Sequence, residues 1–193
     1  MKFKGLLSIF IFLVINSYSQ EFDSNTFWLK AGYGFSTAKF SDSEVGLTLN
    51  GSFSYKTQNN IFTFSYFNTG EFWSNEYVET FSLQYGKSYD FSMRGLLFPI
   101  PLSLLIKKNF NYSIIGRVGF SYNKWNKKTT LIDHSFLNEK YNYELIKGFG
   151  FPIELEIKED ITGFLGMGFS IYTNISGVKG YTGFSINLCL GKF

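Results

Sequence analysis

The feature that most constrains the fold is an alternation of apolar with small polar residues, sustained for up to a dozen positions at a time. Val45, Leu47, Leu49, Gly51, Phe53 and Tyr55 occupy one parity, and Gly46, Thr48, Asn50, Ser52, Ser54 and Lys56 the other. Successive side chains of a β-strand point to opposite faces, so a period of two over this length reads as one long strand with two unlike faces. The pattern returns with Phe27, Leu29, Ala31, Tyr33 and Phe35 against Lys30, Gly32, Gly34 and Ser36. It returns again with Phe81, Leu83, Tyr85, Tyr89 and Phe91 against Ser82, Gln84, Gly86, Ser88 and Asp90. Tyr112, Ile114, Val118, Phe120 and Tyr122 face away from Ser113, Arg117, Gly119, Ser121 and Asn123. Phe149, Phe151, Ile153, Leu155 and Ile157 oppose Gly150, Pro152, Glu154 and Glu156, and Phe184, Ile186, Leu188 and Leu190 close the chain. Globular strands average about 5–6 residues, whereas a tilted strand needs about 9–11 to cross a bilayer. Strands this long predict an all-β chain folded as an antiparallel transmembrane β-barrel.

Alternation is also compatible with a soluble lipocalin-like binding barrel, whose apolar face points inward instead of outward. The second face discriminates between them. A soluble exterior carries mixed charge on about a quarter to a third of its positions. Here that face is mostly Gly, Ser, Thr and Asn, which suits a narrow lumen where bulk and unpaired charge are costly. Composition agrees: 21% of residues are aromatic, with 24 Phe and 13 Tyr, and only 17% are charged. Nine segments can be marked, at 26–38, 44–56, 60–71, 78–91, 94–107, 110–124, 147–157, 160–172 and 179–192. Single-chain bacterial barrels have even strand counts. Either one segment is a turn or plug, with 94–107 the candidate because Pro99 and Pro101 lack a ladder donor, or 126–146 hides a further strand. Eight strands are expected, with ten as the alternative.

The first nineteen residues stand apart. Lys2 and Lys4 precede an apolar run from Leu6 to Ile15, and Ser17-Tyr18-Ser19 follows, the order of a cleaved secretory signal peptide. Residues 20–193 are then one barrel domain. Removing Lys2 and Lys4 from the 18 basic residues leaves 16 against 15 acidic ones, so a nucleic-acid partner has no electrostatic support. Cys189 is the sole cysteine, which excludes an intrachain disulfide and leaves stability to burial or to a bilayer.

The chain also repeats a hairpin. Phe98-Pro99-Ile100 opens a run that breaks at Lys107-Lys108-Asn109 and returns through Gly119-Phe120-Ser121. Phe151-Pro152-Ile153 opens one that breaks at Lys158-Glu159-Asp160 and returns through Gly168-Phe169-Ser170. With Leu83-Gln84-Tyr85-Gly86-Lys87-Ser88 and the terminal Leu190-Gly191-Lys192-Phe193, these openings resemble the small outer-membrane β-barrel family of the OmpA/OmpX type. The resemblance implies residence in the outer membrane of a Gram-negative bacterium, in contact with outer-membrane lipid. It also implies that Phe193 is a signal for the barrel-assembly machinery, although the apolar row lies one residue out of phase with it.

Three groups of residues invite roles. Arg117, Glu154 and Glu156 share the inward parity, and desolvated charges must pair, so a lumen charge cluster that braces the barrel is expected. Trp28, Trp73 and Trp125 fall near strand ends, where interfacial aromatics belong. His134, the sole histidine, sits in Asp133-His134-Ser135, but adjacent residues of one loop do not assemble a nucleophile, base and orienting acid, so no catalytic site is assigned. One His and one Cys in distant segments make no metal ligand set, and no cofactor is implied. Tyr141, Asn142 and Tyr143 suit either an adhesive loop or ordinary solvated chain. The expected function is structural or surface-interacting and non-enzymatic, with a narrow solute pore or a soluble binding barrel as alternatives.

Overall fold

The computed structural model describes residues 25–38, 45–71, 75–94, 109–135 and 138–192. Eight strands form there: β1 (Asn25–Thr37), β2 (Val45–Thr57), β3 (Asn60–Gly70), β4 (Tyr77–Arg94), β5 (Asn109–Ser135), β6 (Asn138–Asp160), β7 (Leu165–Ser176) and β8 (Tyr181–Lys192). Each pairs antiparallel with the next, and β8 returns to β1, so the sheet closes on itself. Closure leaves no open edge around the barrel wall. Following the register from Phe27 through Tyr55, Phe62, Tyr85, Val118, Ile153, Thr173 and Thr182 returns to β1 at Thr37. That offset of 10 residues between Phe27 and Thr37 is the stagger that tilted strands need in order to close.

The count is therefore eight. The region 126–146 does not hide a separate strand; it lengthens β5 and β6, which run on past their other neighbours. β4 begins opposite Asn126 and β7 ends opposite Gly150, so beyond those points β5 and β6 pair only with each other. The result is a two-stranded ribbon, its register shifting between Lys128 and Leu131 and again between Leu131 and Asp133. Bulges of this kind add twist. The ribbon projects from the end of the barrel opposite the start of β1 and the end of β8, called here the upper end. Of the segment 94–107, Arg94 ends β4 and the remainder lies outside the described residues, as do residues 1–19 and Phe193.

The alternation sorts the two faces as a barrel requires. Phe120 is 71% exposed and Leu83 68%, while Lys30, Arg117, Glu154 and Glu156 on the other parity are all at most 3% exposed. The apolar row faces out, the reverse of a lipocalin-like binding barrel. Rings run along the whole of that row. Tyr66 packs on Phe81 and Tyr122 on Phe149 near the upper end, with ring centroids 5.0 and 5.9 Å apart. Phe62 packs on Tyr85 at 5.4 Å nearer the lower end. Polar contacts begin just above the upper rings, where the Tyr66 hydroxyl donates to Glu79 at 3.2 Å.

Candidate functional site

The inward face fills the bore in four layers. At the lower end Trp28, Ile61, Ile115 and Cys189 form a fully buried apolar cluster. The Lys158 ammonium lies 4.1 Å from the center of the Trp28 ring and 3.5 Å from an Asp160 oxygen. A Lys56–Asp90 ion pair lies beside this cluster at the lower mouth.

Above this layer, four charges meet. Arg117 on β5 is the register partner of Glu154 on β6, and Glu156, two residues on, points the same way. Lys30 reaches them from β1, which pairs with neither β5 nor β6, so its side chain crosses the bore. The Lys30 ammonium contacts Glu154 and lies 3.2 Å from Glu156 Oε2. Arg117 Nη2 is 2.6 Å from Glu156 Oε2, and Nη1 is 3.2 Å from Glu154 Oε1. Each carboxylate thus touches both cations, and the quartet sums to zero charge. All four side chains are at most 1% exposed. Removing ions from water costs several kcal/mol each, and only close, reciprocal pairing of this kind offsets it. The strand next to Arg117 makes room for it: a Cβ at Gly86 would stand 2.8 Å from Arg117 Cγ and 2.1 Å from the Gly116 carbonyl oxygen.

A neutral polar layer follows. Thr80 Oγ1 donates to Asn123 Oδ1 at 2.7 Å, Asn174 Nδ2 donates to the same oxygen at 2.7 Å, and Ser121 Oγ donates to Asn174 Oδ1 at 2.9 Å. Phe67, Val78, Tyr172 and Tyr181 then cap the bore, with Trp125 packed against them. Trp125 donates its indole N–H to Glu76 at 3.0 Å. Between the cap and the charged quartet lies a cavity of about 10 Å³ bounded by Phe67, Glu154, Tyr172 and Tyr181. That is at the limit of what a single water occupies.

A closed antiparallel ring of eight strands is a known architecture. Solved structures with it include Neisserial surface protein A, at 12% identity and a TM-score of 0.53, covering 86% of this chain and 97% of that one. The N-terminal β-barrel domain of Pseudomonas aeruginosa OprF matches at 13% identity and 0.55, covering 87% and 98%. Ail, the attachment invasion locus protein of Yersinia pestis, matches at 12% and 0.55, covering 87% and 99%. The chain has the fold of the small outer-membrane β-barrels. No protein-family model matches its sequence, and no curated protein does either.

On this outer-membrane barrel fold the residues singled out from sequence take definite places. Arg117, Glu154 and Glu156 come together, with Lys30 as a fourth member that the sequence reading left out. The signal for Lys30 was its inward parity. It was missed because β1 and β6 are far apart in chain order and meet only across the bore. Two of the three tryptophans turn into the bore instead of outward. Trp28 is fully buried in the lower layer and Trp125 turns toward the upper cap. Each lies on the parity of the lumen residues and points inward. Tyrosine and phenylalanine form the outer ring clusters in their stead. Trp73 and Phe193 lie outside the described residues. His134 falls on the ribbon, its backbone opposite Glu139, away from the bore. Among the described residues no cluster of three or more His, Cys, Asp or Glu side chains is arranged to hold a metal ion.

Proposed function

We propose that the chain is a non-enzymatic barrel of a Gram-negative outer membrane, closed to solutes, whose role is structural or surface-interacting and is exercised by the β5–β6 ribbon. The observation that carries this reading is the sealed bore. Two apolar layers and a neutral ion quartet fill its cross-section, which disfavours the solute-pore reading and leaves the outside of the barrel as the working surface. Among the described residues the ribbon is the largest feature outside the barrel wall. Residues 127–135 of β5 and 138–149 of β6 have a partner on one side only, and the nine β5 residues at about 3.3 Å each extend the ribbon some 30 Å. Free strand edges pair readily with another extended chain. Ring and cation contacts stiffen its base: Lys128 stands 3.5 Å above the Tyr141 ring, and Thr129 Oγ1 donates to the Asn142 carbonyl at 3.0 Å. The ribbon end faces the medium, surrounded below by outer-membrane lipid, and the barrel-assembly machinery reads the end that carries Phe193.

Recovery of the protein in the outer-membrane fraction, as a compact gel band that shifts on boiling, is expected. In a planar bilayer the same preparation should give no resolved single-channel steps. A soluble protein without the shift would refute the membrane reading, and regular conductance steps would refute closure. Replacing residues 129–142 by an Asn-Gly turn should leave the heat shift unchanged, because the barrel registers end at Asn126 and Gly150. Loss of the shift in this variant would make the ribbon part of the barrel's stability instead of a surface appendage.

A further inference from the structure

The outer face of β5 and β6 carries an arrangement that the barrel itself does not require. Lys124 and Lys147 are register partners, both on the outward parity and directly across from each other. Like charges in this position destabilise a strand pair, with Cβ atoms only about 5 Å apart. Glu79 relieves Lys124 in part, at 3.8 Å, but is itself engaged by the Tyr66 hydroxyl. Lys147 is exposed and has no ion pair among the described residues. Lys128, two outward positions further up β5, is buried against the Tyr141 ring, so Lys124 and Lys147 are the cations this face presents.

Directly below the lysine pair, the same two strands present rings. Tyr122 and Phe149 come first, and Phe120 and Phe151, with centroids 5.1 Å apart, lie beneath them. Phe120 and Phe151 are also the near wall of a concave apolar groove of about 810 Å³ on the outside of the barrel, which continues across Phe53, Phe64, Leu83 and Ile153. From Lys124 to Val118 is six residues, about 20 Å of strand and about 15 Å along the membrane normal at a tilt near 40°. That is the depth of one hydrocarbon leaflet. A cationic pair at headgroup height above a leaflet-deep apolar groove is complementary to one amphiphile.

We infer that this face binds an anionic lipid, its phosphate between Lys124 and Lys147 and an acyl chain in the groove below. The inference rests on the membrane reading above. Phosphate oxygens between the two ammonium groups turn a repulsive pair into a bridged one, and the phenyl rings give the chain a fixed apolar wall in place of a fluid one.

The test uses the full barrel refolded in a neutral detergent, titrated with phosphatidylglycerol and, separately, phosphatidylcholine, with bound lipid counted by native mass spectrometry. One phosphatidylglycerol should be retained in preference to phosphatidylcholine. At about 1 kcal/mol for each lysine near an anionic surface, Lys147→Gln should weaken retention about fivefold and the double variant with Lys124→Gln about 25-fold. Lys87→Gln, exposed toward the opposite end of the barrel, should have no effect. Equal retention of the two lipids, or a double variant that binds like the parent, would overturn the site. Displacement of the lipid by millimolar inorganic phosphate would also overturn it, in favor of a site for free phosphate. A preparation that keeps its heat shift but lacks the lipid preference removes this site alone; loss of the heat shift removes the membrane reading as well.

Discussion

Arg117→Ala should destabilise the folded barrel by about 3–5 kcal/mol, measured as the shift in urea unfolding of the protein in detergent micelles or lipid vesicles. The magnitude comes from what remains. Without the guanidinium, Lys30 alone faces Glu154 and Glu156, and a net negative charge is sealed in a bore with no room for a hydration shell. Its direction is testable by compensation. Arg117→Met combined with Glu156→Gln restores one cation to one anion and should recover most of the loss, since replacing both members of a buried pair costs far less than removing one. A loss below about 1 kcal/mol for Arg117→Ala would mean that water reaches the quartet and hydrates each charge separately.

Trp28→Ala should cost a similar amount, about 3–5 kcal/mol, as for other large buried aromatics truncated to alanine. The indole fills the lower layer between Ile61, Ile115 and Cys189, and its removal leaves a void against which Lys158 also loses its aromatic partner. The same measurement separates two positions for this residue. A tryptophan on the outer surface at the membrane interface would lose much less on truncation, because lipid fills the space it leaves. Equilibrium unfolding of Trp28→Ala beside Tyr85→Ala, an outward ring near the same end, should show the larger loss at Trp28.

These two residues also mark how far the sequence could be read. Strand identity and the sense of each face follow from a period of two, because inward and outward environments differ in a property that every side chain reports. Arg117, Glu154 and Glu156 were legible for the same reason: parity alone puts them in the bore, and the cost of desolvation does the rest. Lys30 shows the limit. Pairing across the bore depends on closure and stagger, which no local pattern encodes. Trp28 and Trp125 show a different limit. A barrel of eight strands must fill its own interior, so some large apolar side chains occupy the row otherwise reserved for Ser, Thr and Gly, and composition near a strand end cannot tell such a plug from an interfacial ring. The strand count was ambiguous because 94–107 reads as a ninth segment and 126–146 leaves room for a tenth, whereas 126–146 belongs to β5 and β6, which outrun the barrel.

The reach of Lys30 across the bore bears on how such a chain comes together. Its partners are 124 and 126 positions away, on the sixth strand, whereas β1 finds its first neighbor in the adjacent hairpin. Until β6 is in place the Lys30 ammonium has no counter-ion, and until β8 meets β1 the water around it has a way out only along an open seam. Contacts this distant in sequence form late. Charge neutralisation and ring closure are thereby made to coincide, so that a chain truncated before Glu154 is left with two uncompensated cations, Lys30 and Arg117, on its inner face, and the sixth strand becomes a condition for a stable wall.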